Sequence, residues 1–256
     1  MYSLYNVRHW GSLAPHLVLE ELEVTYQNIW MTRETVRDPA FRELSPLGLI
    51  PVLRLDDGRT VMESAAIVTF LCDAHPRGGL APLPGTADHA VFLAWLSFMS
   101  TNLYGALDQA ISPDSFVEGE AACAALKRRA VERSQHMFDI IEAKLREEGP
   151  WLLGDSFSAT DLYLFMLATW AEPSEAALYD RCPWIGAVCN GVRERPRLGL
   201  GQTLRLVDQG QFLHLFLGEF VQLARLDRDR RCGHEPLRIR PHVPDPVAHA
   251  VEREAA

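Results

Sequence analysis

The sequence predicts an α/β half followed by an all-α half, and three observations carry that expectation. Residues 1–75 mix short strand-like runs with stretches of helical spacing, and the mix of a βαβ unit with a hairpin indicates a mixed sheet covered by helices. A segment rich in Pro and Gly then interrupts the chain at 76–86. Beyond it the strand signals vanish and every periodic segment has helical spacing, which indicates a bundle.

In order, residues 2–5 read as a strand. Residues 12–23 read as a helix with Leu13, Leu17, Leu19 and Leu22 as its apolar positions and Pro15 in the first turn, where a missing N–H costs little. Residues 25–30 read as a second strand. Asp38-Pro39 opens a short helix that ends before Pro46. Residues 51–55 and 60–62 flank Asp56-Asp57-Gly58, a hairpin signal. Residues 64–74 return to helical spacing through Ala65, Ile67, Val68 and Leu71. The first half is thus βαβαββα. After the linker, helices are expected at 87–111, 121–148, 158–171, 182–194 and 211–225. The expected division is 1–75, linker 76–86, helical domain 87–225 and a disordered tail at 226–256, where Pro236, Pro241, Pro244 and Pro246 interrupt a polar sequence.

Composition excludes several functions. The net charge is −9 and no Lys/Arg stripe precedes residue 224, so no nucleic-acid grip is expected. Arg225, Arg228, Arg230 and Arg231 alternate with Asp227 and Asp229 and read as a solvated tail. No uninterrupted apolar run approaches the ~20 residues of a membrane span, and the first residues lack a leader pattern; a cytoplasmic, membrane-free protein is expected. The five cysteines include no C-x-x-C pair and the nine histidines no metal pattern, so neither a disulfide framework nor a metal site is expected.

Four motifs carry candidate chemistry or folding. Pro51 opens a predicted strand, as either an ordinary trans proline at an edge or a cis Ile50–Pro51 turn; the latter leaves the Ile50 backbone available to an added peptide strand. Glu63 and Ser64 stand between a strand and a helix. Ser64 suits a helix cap or a bound carboxylate, and Glu63 suits an ammonium group. The turn from Asn6 to Ser12 leads into the first helix, where Ser12 suits a cap or a donor to a sulfur anion; His9 lies in it. Ser158-x-x-Asp161 is a capping box with Asp for Glu, a folding signal.

Together these pieces resemble the cytosolic glutathione S-transferases. Ser45-Pro46-Leu47-Gly48-Leu49-Ile50-Pro51-Val52-Leu53, Glu63-Ser64-Ala65-Ala66-Ile67, the proline-rich linker and Phe157-Ser158-Ala159-Thr160-Asp161-Leu162 occur in the family's order. The start, Leu4-Tyr5 followed by Gly11-Ser12-Leu13-Ala14-Pro15-His16, is most similar to bacterial members. The resemblance implies a thioredoxin-like domain followed by a helical domain, a homodimer, and glutathione as co-substrate. It implies that Ile50 and Pro51 clamp the cysteinyl part and that Glu63 and Ser64 hold the γ-glutamyl end. Gly11 stands where cysteine-type members carry their catalytic Cys, so Ser12 becomes the candidate catalytic group, with Tyr5 and Asn6 as stand-ins. Arg33 and Arg37 match the glycine carboxylate in charge. Trp10, Tyr104, Phe98 and Phe116 are candidate walls for a hydrophobic electrophile. The expected activity is glutathione transfer, with ether cleavage, dehalogenation, isomerisation or non-catalytic binding as alternatives.

Overall fold

The computed structural model describes residues 1–198; the expected helix at 211–225, the basic stretch, Cys232 and the tail lie outside them. The N-terminal half is a four-stranded mixed sheet with helices. Strands β1 (Tyr2–Asn6), β2 (Tyr26–Trp30), β3 (Val52–Arg54) and β4 (Thr60–Met62) lie in the order β2-β1-β3-β4. β1 runs parallel to β2, with Tyr5 opposite Ile29. β3 runs antiparallel to both its neighbours, with Leu53 between Leu4 and Val61. Helix α1 (Leu13–Glu21) makes the crossover that a parallel pair requires. The Asp-Asp-Gly turn closes the expected hairpin, and Gly58 supplies its positive φ of 89°. Val52 and Leu53 point to opposite faces and both are buried, which marks β3 as covered on both sides.

Two short elements were not expected. Helix α2 (Arg33–Arg37) is capped by Thr32, whose hydroxyl accepts from the Thr35 N–H, while the Thr35 hydroxyl accepts from the Thr32 N–H. Helix α8 (Glu175–Arg181) begins at Ser174, whose hydroxyl accepts from the Ala177 N–H. The 39–43 segment is a 3-10 turn, with Asp38 capping it through the Ala40 N–H. Helix α3 spans Ser64–Ala74, so Ser64 is its first residue and Glu63 its cap, which corrects the expectation of a Ser64 cap.

The expected helix at 87–111 consists of α4 (Ala87–Ser97), a π-helical turn (Phe98–Leu103) and α5 (Tyr104–Ile111). The Tyr104 N–H bonds the Met99 carbonyl, five residues back. Taken together these 25 residues are long and apolar enough to match a membrane span by length and composition. Phe92, Leu96, Met99, Leu103, Ala106, Leu107 and Ala110 are buried in the protein core, however, as in a core helix. Helices α6 (Glu120–Glu148), α7 (Ala159–Ala168) and α9 (Pro183–Arg193) complete the bundle among the described residues.

All ten residues of α7 are buried, and α7 packs against α1, α4 and α9. Its capping box forms as expected: the Asp161 carboxylate accepts from the Ser158 N–H at 2.8 Å and the Ser158 hydroxyl accepts from the Thr160 N–H at 3.3 Å. Asp161 also accepts from the Leu152 N–H at 2.8 Å, which pins the preceding loop. At the end of α1, the buried carboxylate of Glu21 holds Arg195 at 2.6 and 2.7 Å, a bidentate pair joining that helix to the chain beyond α9.

Burial pushes the Asp161 carboxyl up from 3.8 to about 6, against the pull of its Leu152 and Ser158 donors. A folded value above the unfolded one means that the folded state holds the proton more tightly. The associated stability is full below about pH 4 and is lost as pH rises to about 6. Asp161→Ala is expected to lower stability by about 2–4 kcal/mol at neutral pH, through loss of the cap and the Leu152 tie. It should also remove that part of the pH slope; urea unfolding midpoints across pH 4–7 measure both.

Candidate functional site

The candidate site is built from three pieces of the sheet half and three aromatic side chains of the helical half. The first piece is the turn after β1. The Val7 carbonyl accepts from the Trp10 N–H at 3.2 Å and the Trp10 carbonyl from the Leu13 N–H at 2.9 Å. Ser12 closes it: the buried hydroxyl accepts from the Val7 N–H at 3.1 Å and donates to the Val7 carbonyl at 3.0 Å. Both capacities of that hydroxyl face inward. It makes no side-chain cap to α1, although the Ser12 carbonyl accepts from the His16 N–H.

His9 holds a φ of 63° in this turn, a conformation that costs a non-glycine residue about 1–3 kcal/mol unless its surroundings impose it. The helical half helps impose it: the Trp170 Nε1–H donates to the His9 carbonyl at 2.9 Å. Burial, then the charge of Arg8, pushes the His9 imidazole below its usual value. Asn6, offered above as a sulfur contact, is buried and donates from Nδ2 to Asn28 Oδ1 at 3.1 Å. Asn28 continues to His16, which sits 3.6 Å from Glu20. His16 therefore belongs to a scaffold network. The Tyr5 ring leans on Phe41, with centroids 5.9 Å apart.

The second piece is the 45–51 loop. The Ser45 hydroxyl donates to the Leu49 carbonyl and accepts from the Leu49 N–H, both at 2.9 Å, and Gly48 turns at a φ of 65°. The Ile50–Pro51 bond is cis. The Ile50 backbone makes no hydrogen bond among the described residues, and pairing with the neighbouring strands starts at Val52. Ile50, Val36, Phe41 and Val52 form a small core of their own, on which Tyr5, Trp10, Met31 and Leu44 pack. The Arg33 guanidinium lies 5.5 Å above the Trp10 ring.

The third piece is the corner between β4 and α3. Glu63 is exposed and holds a φ of 66°. The buried Ser64 hydroxyl pairs with the Tyr163 hydroxyl of α7 at 2.7 Å. Tyr163 lies on a helix with no solvent face, so its phenol needs an internal partner; Ser64 is that partner. In the sequence Tyr163 is one more residue of a helix with apolar spacing; the available signal is a phenol inside the otherwise apolar run 162–168.

Tyr104, taken above as a pocket wall, reaches the first piece directly. A Cβ built on Gly11 would stand 2.6 Å from the Tyr104 hydroxyl oxygen and 3.3 Å from Cε2 and Cζ. The Tyr104 ring meets Trp170 edge to face, with centroids 5.0 Å apart. Burial, then the charges of Asp108 and Glu63, pushes the phenol up to about 12. The charge of Glu63 also raises Tyr163, after burial. Gly11, Glu63, Ser64, Tyr104 and Tyr163 thus share one neighbourhood. Phe98 instead stacks edge-on against Trp95, and Phe116 is exposed.

Chemically, the edge at Ile50 suits an extended peptide backbone, and the N–H groups at the start of the 11-residue α3 suit a carboxylate. The exposed carboxylate of Glu63 suits an ammonium. This combination, a mixed sheet with a cis-proline edge joined to a helical bundle, defines the two-domain thioredoxin-like proteins.

Two family models match, the glutathione S-transferase N-terminal domain over residues 12–74 and the C-terminal domain over 124–197. An uncharacterised GST-like protein of Escherichia coli K12, YncG, is 27% identical over 201 residues, which cover 77% of this chain and 95% of that one. A glutathione transferase of Methylococcus capsulatus is 29% identical, with a TM-score of 0.68 and coverage of 81% of this chain and 100% of its own. A sphingomonad glutathione S-transferase complexed with glutathione is 26% identical, with a TM-score of 0.65 over the same shares. The chain belongs to the glutathione S-transferase family.

Removing the indole N–H should free the strained turn. Trp170→Phe is expected to speed amide hydrogen exchange at residues 8–12 by about fivefold, which corresponds to the ~1 kcal/mol net worth of one hydrogen bond, while exchange in α6 stays unchanged.

Proposed function

We propose that this chain is a glutathione transferase that binds glutathione in an extended form and presents its sulfur to a hydrophobic electrophile. The observation that carries the reading is the open Ile50 backbone in the same half as the Glu63–Ser64 corner. The cysteinyl part of glutathione pairs with the backbone of Ile50, next to Pro51. Its γ-glutamyl carboxylate takes the Ser64 hydroxyl and the first N–H groups of α3, and its ammonium takes Glu63. Tyr163, raised by burial, remains protonated and shares one hydrogen bond with Ser64; with the phenol as its donor, the Ser64 proton is left for the ligand carboxylate. The sulfur then lies toward the Gly11–Ser12 turn, and the electrophile between Trp10 and Tyr104.

Within this reading Ser12 and Asn6 keep the turn and sheet in place, because the hydroxyl of Ser12 and the amide of Asn6 are engaged with Val7 and Asn28, and Tyr5 packs its ring against Phe41. The same engagement favours a second reading, a binding protein without turnover. The protein acts in the cytoplasm as a homodimer, with the glutathione domain at 1–75 and the helical domain from residue 87; these assignments rest on what is typical of the family.

Calorimetric titration of glutathione at neutral pH tests the site. The wild type should bind, and Ser64→Ala should weaken binding by about 1 kcal/mol or more, roughly fivefold. Tyr163→Phe should weaken it less, since Ser64 keeps its own proton. Absence of binding to the wild type would remove the transferase reading; binding with no turnover of any aryl or alkyl halide would favour the second.

A further inference from the structure

We infer that the Tyr104 hydroxyl, delivered from the helical half across Gly11, is the hydrogen-bond donor that holds the glutathione sulfur as a thiolate. The inference rests on the glutathione reading above and goes beyond it by naming the group that meets the sulfur.

Three observations carry it. First, Tyr5 apart, the other hydroxyls near the turn and corner are committed elsewhere. Ser12 uses its donor and acceptor on Val7, Tyr163 is bonded to Ser64, and the remaining capacity of Ser64 goes to the ligand carboxylate in the reading above, while Tyr5 leans its ring on Phe41. The Tyr104 hydroxyl has no hydrogen-bond partner among the described residues. No wholly buried side-chain oxygen or nitrogen there is left unpaired, so this unpaired oxygen is not wholly buried. Second, position 11 has room for this phenol only while it lacks a side chain. The 2.6 Å approach to a built Cβ is shorter than any ordinary contact, so Gly11 and Tyr104 form a matched pair. Third, the placement of Tyr104 is built in. It follows the π-helical turn, its N–H is tied to Met99, and its ring is set edge-on against Trp170, which itself holds the His9 carbonyl. One indole thus fixes both the turn and the phenol that reaches it.

The electrostatics agree with a donor role. The charged groups acting on the phenol are Asp108 on its own helix and Glu63 from the corner, both anionic, and Tyr163 of α7 lies beside it uncharged. Burial, helped by both carboxylates, keeps Tyr104 protonated across the physiological range. When glutathione binds, the thiol S–H bond breaks and its proton leaves to water. Tyr104 keeps its own proton and shares it with the sulfur anion in a charge-assisted bond. The sulfur lone pair then forms the bond to the electrophilic carbon as the leaving group departs with its electron pair.

The test is the ultraviolet thiolate absorbance of protein-bound glutathione as a function of pH, on the wild type, Tyr104→Phe, Gly11→Ala and the double variant. Phe keeps the ring against Trp170, so the fold and glutathione affinity should hold, with Kd within about threefold. The bound thiol pKa should rise by about one to two units in Tyr104→Phe, and kcat with 1-chloro-2,4-dinitrobenzene should fall about tenfold or more near neutral pH. Gly11→Ala, which displaces the phenol from the other side, should give the same shift. The double variant should resemble either single one, because both remove a single contact. A bound thiol pKa unchanged in Tyr104→Phe overturns the inference while leaving the glutathione site intact. No binding of glutathione to the wild type overturns the reading beneath it as well.

Discussion

A helix with no face toward solvent must satisfy every polar group it carries from inside the protein, and α7 is such a helix. Its ten residues are buried, yet it contains Thr160, Asp161 and Tyr163. An unpaired buried polar group costs about 1–3 kcal/mol, so each of these fixes something else in place. Asp161 takes the N–H groups of Leu152 and Ser158 and thereby sets the loop that enters the helix. Tyr163 finds Ser64, 99 residues away, and thereby sets the start of α3. Just past the helix, Trp170 takes the carbonyl of His9. The helical half therefore contacts the sheet half through directional bonds at two of the three pieces of the site, the corner and the turn. The apolar packing of α1 against α7 brings the halves together, but apolar contact alone has no direction. The polar groups supply the register.

At the site, strain is located where those bonds land. His9 and Glu63 both hold positive φ, and each stands next to a contact from the helical half: His9 carries the carbonyl bound by Trp170, and Glu63 precedes the Ser64 paired with Tyr163. A backbone conformation that costs about 1–3 kcal/mol persists when the surroundings over-determine it. Here the surroundings are hydrogen bonds from distant sequence. The exposed carboxylate of Glu63 and the turn at Gly11 are thus set by residues far along the chain.

This explains which parts of the architecture were legible in the sequence. The βαβαββα order and the long helices follow from period-two and helical spacing, and those signals are local. The Asp161 capping box was legible for the same reason. Helices α2 and α8 run five and seven residues, too short for a period to emerge, although Thr32 and Ser174 were present as caps. The π-helical turn at Phe98–Leu103 interrupts a segment whose apolar spacing reads as one helix, because a single inserted residue barely disturbs the pattern. At the site, residue types were legible and directions were not. Ser12 and Ser64 both read as caps, yet one hydroxyl turns back to Val7 and the other inward to Tyr163. Nothing in a window of ten residues specifies a partner 99 positions away.

The same separation bears on how the site could acquire its chemistry. A turn of six residues that begins at Val7 and ends at Ser12 has few side chains to offer, and Ser12 is needed to close it. Position 11 has no side chain at all. A reactive group placed there by the turn itself would fill the space that the Tyr104 phenol occupies, so the two arrangements exclude each other on volume alone. Gly11 is then more than a missing functional group, since its lack of a Cβ lets the other half of the protein reach the turn. The phenol arrives on a rigid element, seated after the π-helical turn and against Trp170, and a donor held by a helix is better fixed than one held by a loop. The turn therefore shapes the space, and the bundle fills it.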